Sequence, residues 1–148
     1  MKKIICFAVL MLLIGYAQKS SAQDSLKVIQ AETYNETNTA TQTKADKGIV
    51  VNKFAKGAWI KFNEVDFGKG ATKMLFRASS GATTGKLLLE VRLAEPDGKL
   101  LAMLTVQKNG WGTFQEQELE IKKTRGKQKL VLVAQDGAVM LNWFKVVE

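Results

Sequence analysis

Glu116, Glu118 and Glu120 recur at every second position, a spacing that puts three carboxylates on one face of a strand. Paired carboxylates could perform acid–base hydrolysis, but a glycosidase needs its acid pair across a formed cleft, not along one strand. With Lys122, Lys123, Arg125 and Lys127 directly following, the stripe reads as a solvated face. That basic cluster has no interleaved aromatics, which makes it a poor nucleic-acid surface. The chain contains no His, so Ser–His and Cys–His nucleophile systems and His-bearing zinc sites are excluded. Recognition is left as the better-supported chemistry. Trp111 follows Asn109-Gly110, where the chain should turn and leave the indole on a loop. A flat apolar ring on a loop suits a stacking contact and loses little entropy on binding. The competing reading is a Trp folded over the edge of the core.

The elements that must position these residues begin after an N-terminal leader. Lys2 and Lys3 precede an uncharged apolar run from Ile4 to Ala17, and Lys19-Ser20-Ser21-Ala22 follows. This is the order of a secretory signal peptide, with cleavage expected after Ala22. The run is too short for a comfortable membrane span of about 20 residues. Cys6 would leave with it, and no Cys stands at the end of the run to carry a lipid. Residues 23–148 are therefore expected as a single secreted domain, periplasmic or extracellular, with no membrane span after cleavage. Removing Lys2, Lys3 and Lys19 and no acid turns the +8 of the full chain into +5. Without disulfides such a domain must stand on its hydrophobic core, which is feasible at this size.

Within residues 23–148 the sequence predicts strands and no helices. Apolar and β-branched runs fall at 26–31, 59–67, 74–78, 86–94, 100–107, 128–134 and 139–147, with 114–121 as a polar edge strand. Glu95-Pro96-Asp97-Gly98 and Gln135-Asp136-Gly137 supply turns. Eight or nine strands with short connections mean an all-β, antiparallel sandwich. Residues 36–58, rich in Thr, Asn, Lys and Ala, read as a long loop over one end, with only Ile49-Val50-Val51 as a strand. Trp59 and Trp143, among Ile60, Phe62, Phe144 and Val146, are expected in the core.

Four segments in order resemble a carbohydrate-binding module of family 6. They are Ile29-Gln30-Ala31-Glu32-Thr33-Tyr34, Gly57-Ala58-Trp59-Ile60-Lys61-Phe62, Asn109-Gly110-Trp111-Gly112-Thr113-Phe114 and Leu141-Asn142-Trp143-Phe144-Lys145-Val146. The resemblance covers nearly all of residues 23–148. It implies a β jelly-roll that binds polysaccharide or oligosaccharide, often with a structural calcium ion. It makes Trp111 one wall of a loop-end cleft. The family's opposing Tyr falls at Lys53, beside Phe54, and its sugar-bonding Asn at Met140. The carbohydrate site implied is thus Trp111, Lys53, Phe54 and Met140. Gln30, Glu32 and Asn142 match positions that supply oxygens to calcium, a cation that takes hard oxygen ligands. The alternative for these three is hydrogen bonding across adjacent strands.

The expectation is a non-catalytic, polysaccharide-binding module, with a separate glycan-degrading enzyme as a conceivable partner. The rival is a sandwich whose cleft has decayed into a protein-interaction or surface-assembly module, as Lys53 and Met140 suggest. Lys53 and Lys56 near Trp111 would suit an acidic sugar, although ordinary solvated lysines would look the same in sequence. A small glycosidase or lyase is disfavoured by the 14 acids and the absence of His.

Overall fold

Alternation in the last two long strands carries the fold. Leu130, Leu132 and Ala134 point inward on one, and Phe144 and Val146 on the other, all at most 2% exposed. The computed structural model describes residues 27–148. The expected leader, residues 1–22, lies outside the described residues, as does Leu26.

Among the described residues eleven strands form, more than the eight or nine expected: β1 Ile29–Gln30, β2 Glu36–Thr37, β3 Thr41–Ala45, β4 Gly48–Ala55, β5 Trp59–Asp66, β6 Ala71–Ser79, β7 Leu88–Leu93, β8 Leu100–Thr105, β9 Gln115–Thr124, β10 Lys127–Asp136 and β11 Ala138–Val147. One sheet has the order β3-β4-β11-β6-β9, with β1 pairing β11; the other is β2-β5-β10-β7-β8, and every pairing is antiparallel. The two sheets pack face to face as the expected sandwich. Phe144 joins them, edge-on to Phe62 of the opposite sheet at 5.0 Å between ring centroids and stacked beside Phe76 of its own at 5.9 Å.

The expected loop over 36–58 is instead largely strand. Its hairpin, β3–β4, was hidden because Asp46 and Lys47 both take left-handed backbone, at φ 51° and 64°, without a Gly at either position. Two consecutive residues of positive φ are what a tight two-residue hairpin needs. Asp46 then reaches across the sheet. Its carboxylate receives two bonds from Arg77, at 2.6 and 2.9 Å, and one from the Asn142 side-chain amide. Beneath this clamp Val50, Met140 and Phe114 form a small second core on the outer face.

Trp59 and Trp143 are not core residues. Ile60 and Phe62 point inward on β5, so Trp59 and Lys61 share the outer face. On β11 Leu141 and Phe144 are both buried yet three apart, a spacing that a regular strand cannot give. A register shift between Leu141 and Trp143 resolves it: Asn142 is the extra residue, and Trp143 turns outward opposite Gln30 and Arg77. Both indoles are half-buried.

Candidate functional site

Strand register gathers four connections at one end of the sandwich. Ala138 of β11 pairs with Ala55 of β4, Met140 with Ser79 of β6, and Asp136 of β10 with Leu88 of β7. Ala78 pairs with Gln115 and Leu88 with Thr105, which brings in the β8–β9 loop. The turns after β4, β6, β8 and β10 therefore meet.

Trp111 tops the β8–β9 loop and is 53% exposed. Gly110 and Gly112 on either side of it both adopt left-handed backbone, at φ 94° and 78°, conformations that Gly takes without steric cost. Ser80 anchors this loop. Its carbonyl accepts the backbone N–H groups of Asn109 and Gly110, each at 3.0 Å, while its hydroxyl donates to the Ala138 carbonyl at 2.6 Å. Nothing in the sequence singled Ser80 out, because its partners come from a loop and a strand distant in the chain. The Asn109 side-chain nitrogen and the Ser79 hydroxyl are buried here without hydrogen-bond partners.

One residue beyond Gly81, which touches the indole, Ala82 enters a cavity of about 460 Å³. Lys56, Thr84, Gly85, Asp136 and Gly137 also line it. Asp136 is a second residue that sequence reasoning missed. Its carboxylate accepts the backbone N–H groups of Lys86 and Gly137, both at 2.9 Å. The bond from Lys86 is the main reason its carboxyl is held below the usual carboxylate range, with Gly137 and the Lys56 and Lys86 charges acting the same way.

Of the expected carbohydrate residues, the structure presents two and hides two. Trp111 is open. Lys53 is exposed, at φ 50°, within the irregular stretch of β4 that lies opposite Met140. Phe54 is fully buried in the main core. Met140 is 9% exposed and packs on Val50 and Phe114, with the Arg77 guanidinium 5.9 Å from the centre of the Phe114 ring. Neither Phe54 nor Met140 offers a wall to a ligand: inward strand phase buries the first, and the β3–β4 hairpin covers the second.

The outer face of the second sheet offers another surface. Trp59, Val133 and Glu90 lie in one row across β5, β10 and β7, and Lys61, Val131 and Arg92 in the next. Glu90 is buried, and its carboxylate accepts from Arg92 at 2.6 Å and Gln135 at 3.1 Å. Arg92 is the first cause of its lowered pKa. The buried Lys61 ammonium pairs with Glu95 at 3.0 Å.

The acidic stripe is a solvated face, but its partners lie across the strands. Glu116 sits opposite Arg77 and Glu120 opposite Lys73, and Glu118 bonds the Lys73 ammonium at 2.7 Å.

The residues matched to calcium also assemble near one another. Gln30 ends β1 opposite Trp143. Glu32 lies in a single 3-10 turn, Ala31–Thr33, packed on β4 and β11. Strand alternation therefore does not relate Gln30 and Glu32. Glu32 Oε2 is buried without a hydrogen-bond partner, a costly state for a carboxylate oxygen unless a cation or water meets it. Asn142 adds an amide oxygen. Hard oxygens with one orphaned carboxylate fit calcium, although among the described residues no three His, Cys, Asp or Glu side chains gather as a metal cluster.

The family model for carbohydrate binding module (family 6) matches residues 30–148. Endo-1,4-beta-xylanase A of Thermoclostridium stercorarium is 31% identical over 121 residues, a match covering 79% of this chain but only 23% of that enzyme. A family 6 module from Clostridium stercorarium, solved with cellobiose, superposes with a TM-score of 0.76 at 28% identity, over 84% of this chain and 95% of that one. One from Clostridium cellulolyticum, solved with xylose, gives 0.75 at 26% identity, over 84% and 98%.

Proposed function

The chain belongs to family 6 of the carbohydrate-binding modules, and on that premise we propose that it holds a polysaccharide at the loop end, with Trp111 as the stacking platform. The module is non-catalytic. The observation that supports this site is the half-exposed indole of Trp111, held between two left-handed glycines beside a cavity. One aromatic wall predicts weak binding, a Kd on the order of millimolar to tens of micromolar. Retention of the protein on a panel of neutral and acidic polysaccharides tests it. Loss of retention in Trp111→Ala with an unchanged thermal midpoint is the expected result. Retention unaltered by that change would sink the loop-end reading.

The row around Trp59 supports a second reading, in which the sugar lies on the outer face of the second sheet. A half-buried indole in one row with a buried, hydrogen-bonded carboxylate, Val133 lying between them, suits a sugar ring and its hydroxyls. Loss of retention in Trp59→Ala but not in Trp111→Ala would choose this face.

Calcium at Glu32, Gln30 and Asn142 belongs to the same reading. There it would tie the 3-10 turn to β11 through hard-oxygen coordination. Secretion by means of residues 1–22 predicts a mature N-terminus at Gln23, which mass spectrometry of exported protein would find. Delivery of a glycan-degrading enzyme to its polymer is the role that a weak, non-catalytic binder would serve.

A further inference from the structure

The loop end is rich in lysine. Its loops and strand ends carry Lys53, Lys56, Lys86 and Lys108 against two acids, Asp136 and Glu116, the latter opposite Arg77. Both Asp136 oxygens are already engaged by backbone N–H groups. The ion pairs among the described residues involve Lys61, Lys73, Arg77, Arg92 and Lys127, all elsewhere in the fold. The four loop-end lysines are therefore without ion-pair partners among the described residues. At the opposite end the loops and strand ends mix Lys69, Lys99, Lys122, Lys123, Arg125 and Lys127 with Asp66, Glu95 and Asp97, and Glu148 folds back onto the Lys69 backbone N–H. Both ends are therefore basic, and what the loop end adds is the exposed Trp111 indole beside its unpaired lysines.

Resting on the loop-end reading above, we propose that the ligand is an anionic glycan, one whose rings bear carboxylate or sulfate groups. Trp111 stacks under a ring, and the Lys56 ammonium, at the wall of the adjoining cavity, pairs with the anionic substituent. Lys53, Lys86 and Lys108 raise the local positive potential. Charges of one sign grouped around a cavity concentrate an oppositely charged ligand, and those at exposed positions do so in a salt-dependent way. A neutral sugar would gain from Trp111 alone.

The test is calorimetry with short oligosaccharides, which limits non-specific avidity. The probes are trigalacturonate for carboxylate, a sulfated carrageenan oligosaccharide for sulfate, and xylotriose and cellotriose as neutral sugars, at about 50 and about 500 mM NaCl. One anionic probe should bind about tenfold more tightly than the neutral ones at low salt and lose most of that margin at high salt. Lys56→Gln should weaken it by about three- to tenfold, with an unchanged thermal midpoint, while Lys99→Gln at the opposite end leaves it unaltered. Which anionic probe responds identifies the substituent. Equal, salt-insensitive binding of neutral sugars that is lost in Trp111→Ala would overturn the charge inference and leave the loop-end reading standing. Anion binding indifferent to Trp111→Ala and equally reduced by Lys56→Gln and Lys99→Gln would be ion exchange at the surface and would overturn both.

Discussion

The Trp111 indole lies directly on the backbone of Gly81. A Cβ at Gly81 would stand 2.6 Å from Trp111 Cδ1 and 2.7 Å from its backbone nitrogen. Backbone cannot yield as a side-chain tip does, so even one methyl group must displace the loop. Gly81→Ala is therefore expected to weaken glycan retention nearly as much as removal of the indole, while the protein stays folded. Affinity electrophoresis beside a thermal melt checks this, and unaltered retention would show that the loop position does not matter for binding.

The Asp46–Arg77–Asn142 clamp predicts acid sensitivity. Arg77 holds the Asp46 carboxyl below its ordinary range, and Arg92 and the Lys86 backbone do the same for Glu90 and Asp136. Each group takes up its proton less readily folded than unfolded. The stability they contribute is therefore complete above the unfolded carboxylate range, near about 4, and is lost as pH falls through the lower folded values. The thermal midpoint should be level from neutral pH down to that range and then drop.

Removing that clamp should loosen a hairpin without unfolding the sandwich. Asp46→Asn at neutral pH is expected to cost about 1–2 kcal/mol, since the pair is partly open to solvent, and to flatten the acid limb. Hydrogen exchange should speed up selectively in β3 and β4. A uniform increase across both sheets would contradict a local role.

Phe144 is the point where the sheets meet, touching Phe62 across the core and Phe76 within its own sheet. Phe144→Ala should cost about 3–5 kcal/mol, a large share of the about 5–15 kcal/mol that a domain holds in reserve. Urea unfolding measures it. A loss near that of a surface change would mean the cavity collapses.

The orphaned Glu32 oxygen predicts a metal response. A ligand that binds only the folded state stabilises it by about 2.7 kcal/mol at a hundredfold excess over Kd. Calcium should raise the thermal midpoint and EDTA lower it in the parent protein, whereas Glu32→Gln should respond to neither. Identical melts with and without EDTA would remove calcium from the account.

Much of the sandwich was legible because strands announce themselves locally. Alternating runs bounded by Glu95-Pro96-Asp97-Gly98 and Gln135-Asp136-Gly137 mark β7, β8, β10 and β11 with little ambiguity. Periodicity of two tells that a strand has two faces, yet phase decides which one is buried. Ile60 and Phe62 already carried that phase for β5 and turn Trp59 outward. The β3–β4 hairpin escaped because Asp46 and Lys47 adopt backbone conformations usually marked by Gly, and what holds the hairpin down is a bond between residues 96 positions apart.

The candidate site divides in the same way. Sequence alone determined an all-β chain without His, the family resemblance and the Asn-Gly-Trp-Gly loop, since each is a matter of composition or near-neighbour chemistry. Only the tertiary structure decided that Trp111 is open while Phe54 and Met140 are covered, and that Lys53, Lys56, Lys86 and Lys108 share one end. Those four lysines come from β4 and three separate connections of the chain. Antiparallel register, set by pairings spread through both sheets, is what brings such connections together, and no local window of sequence contains it.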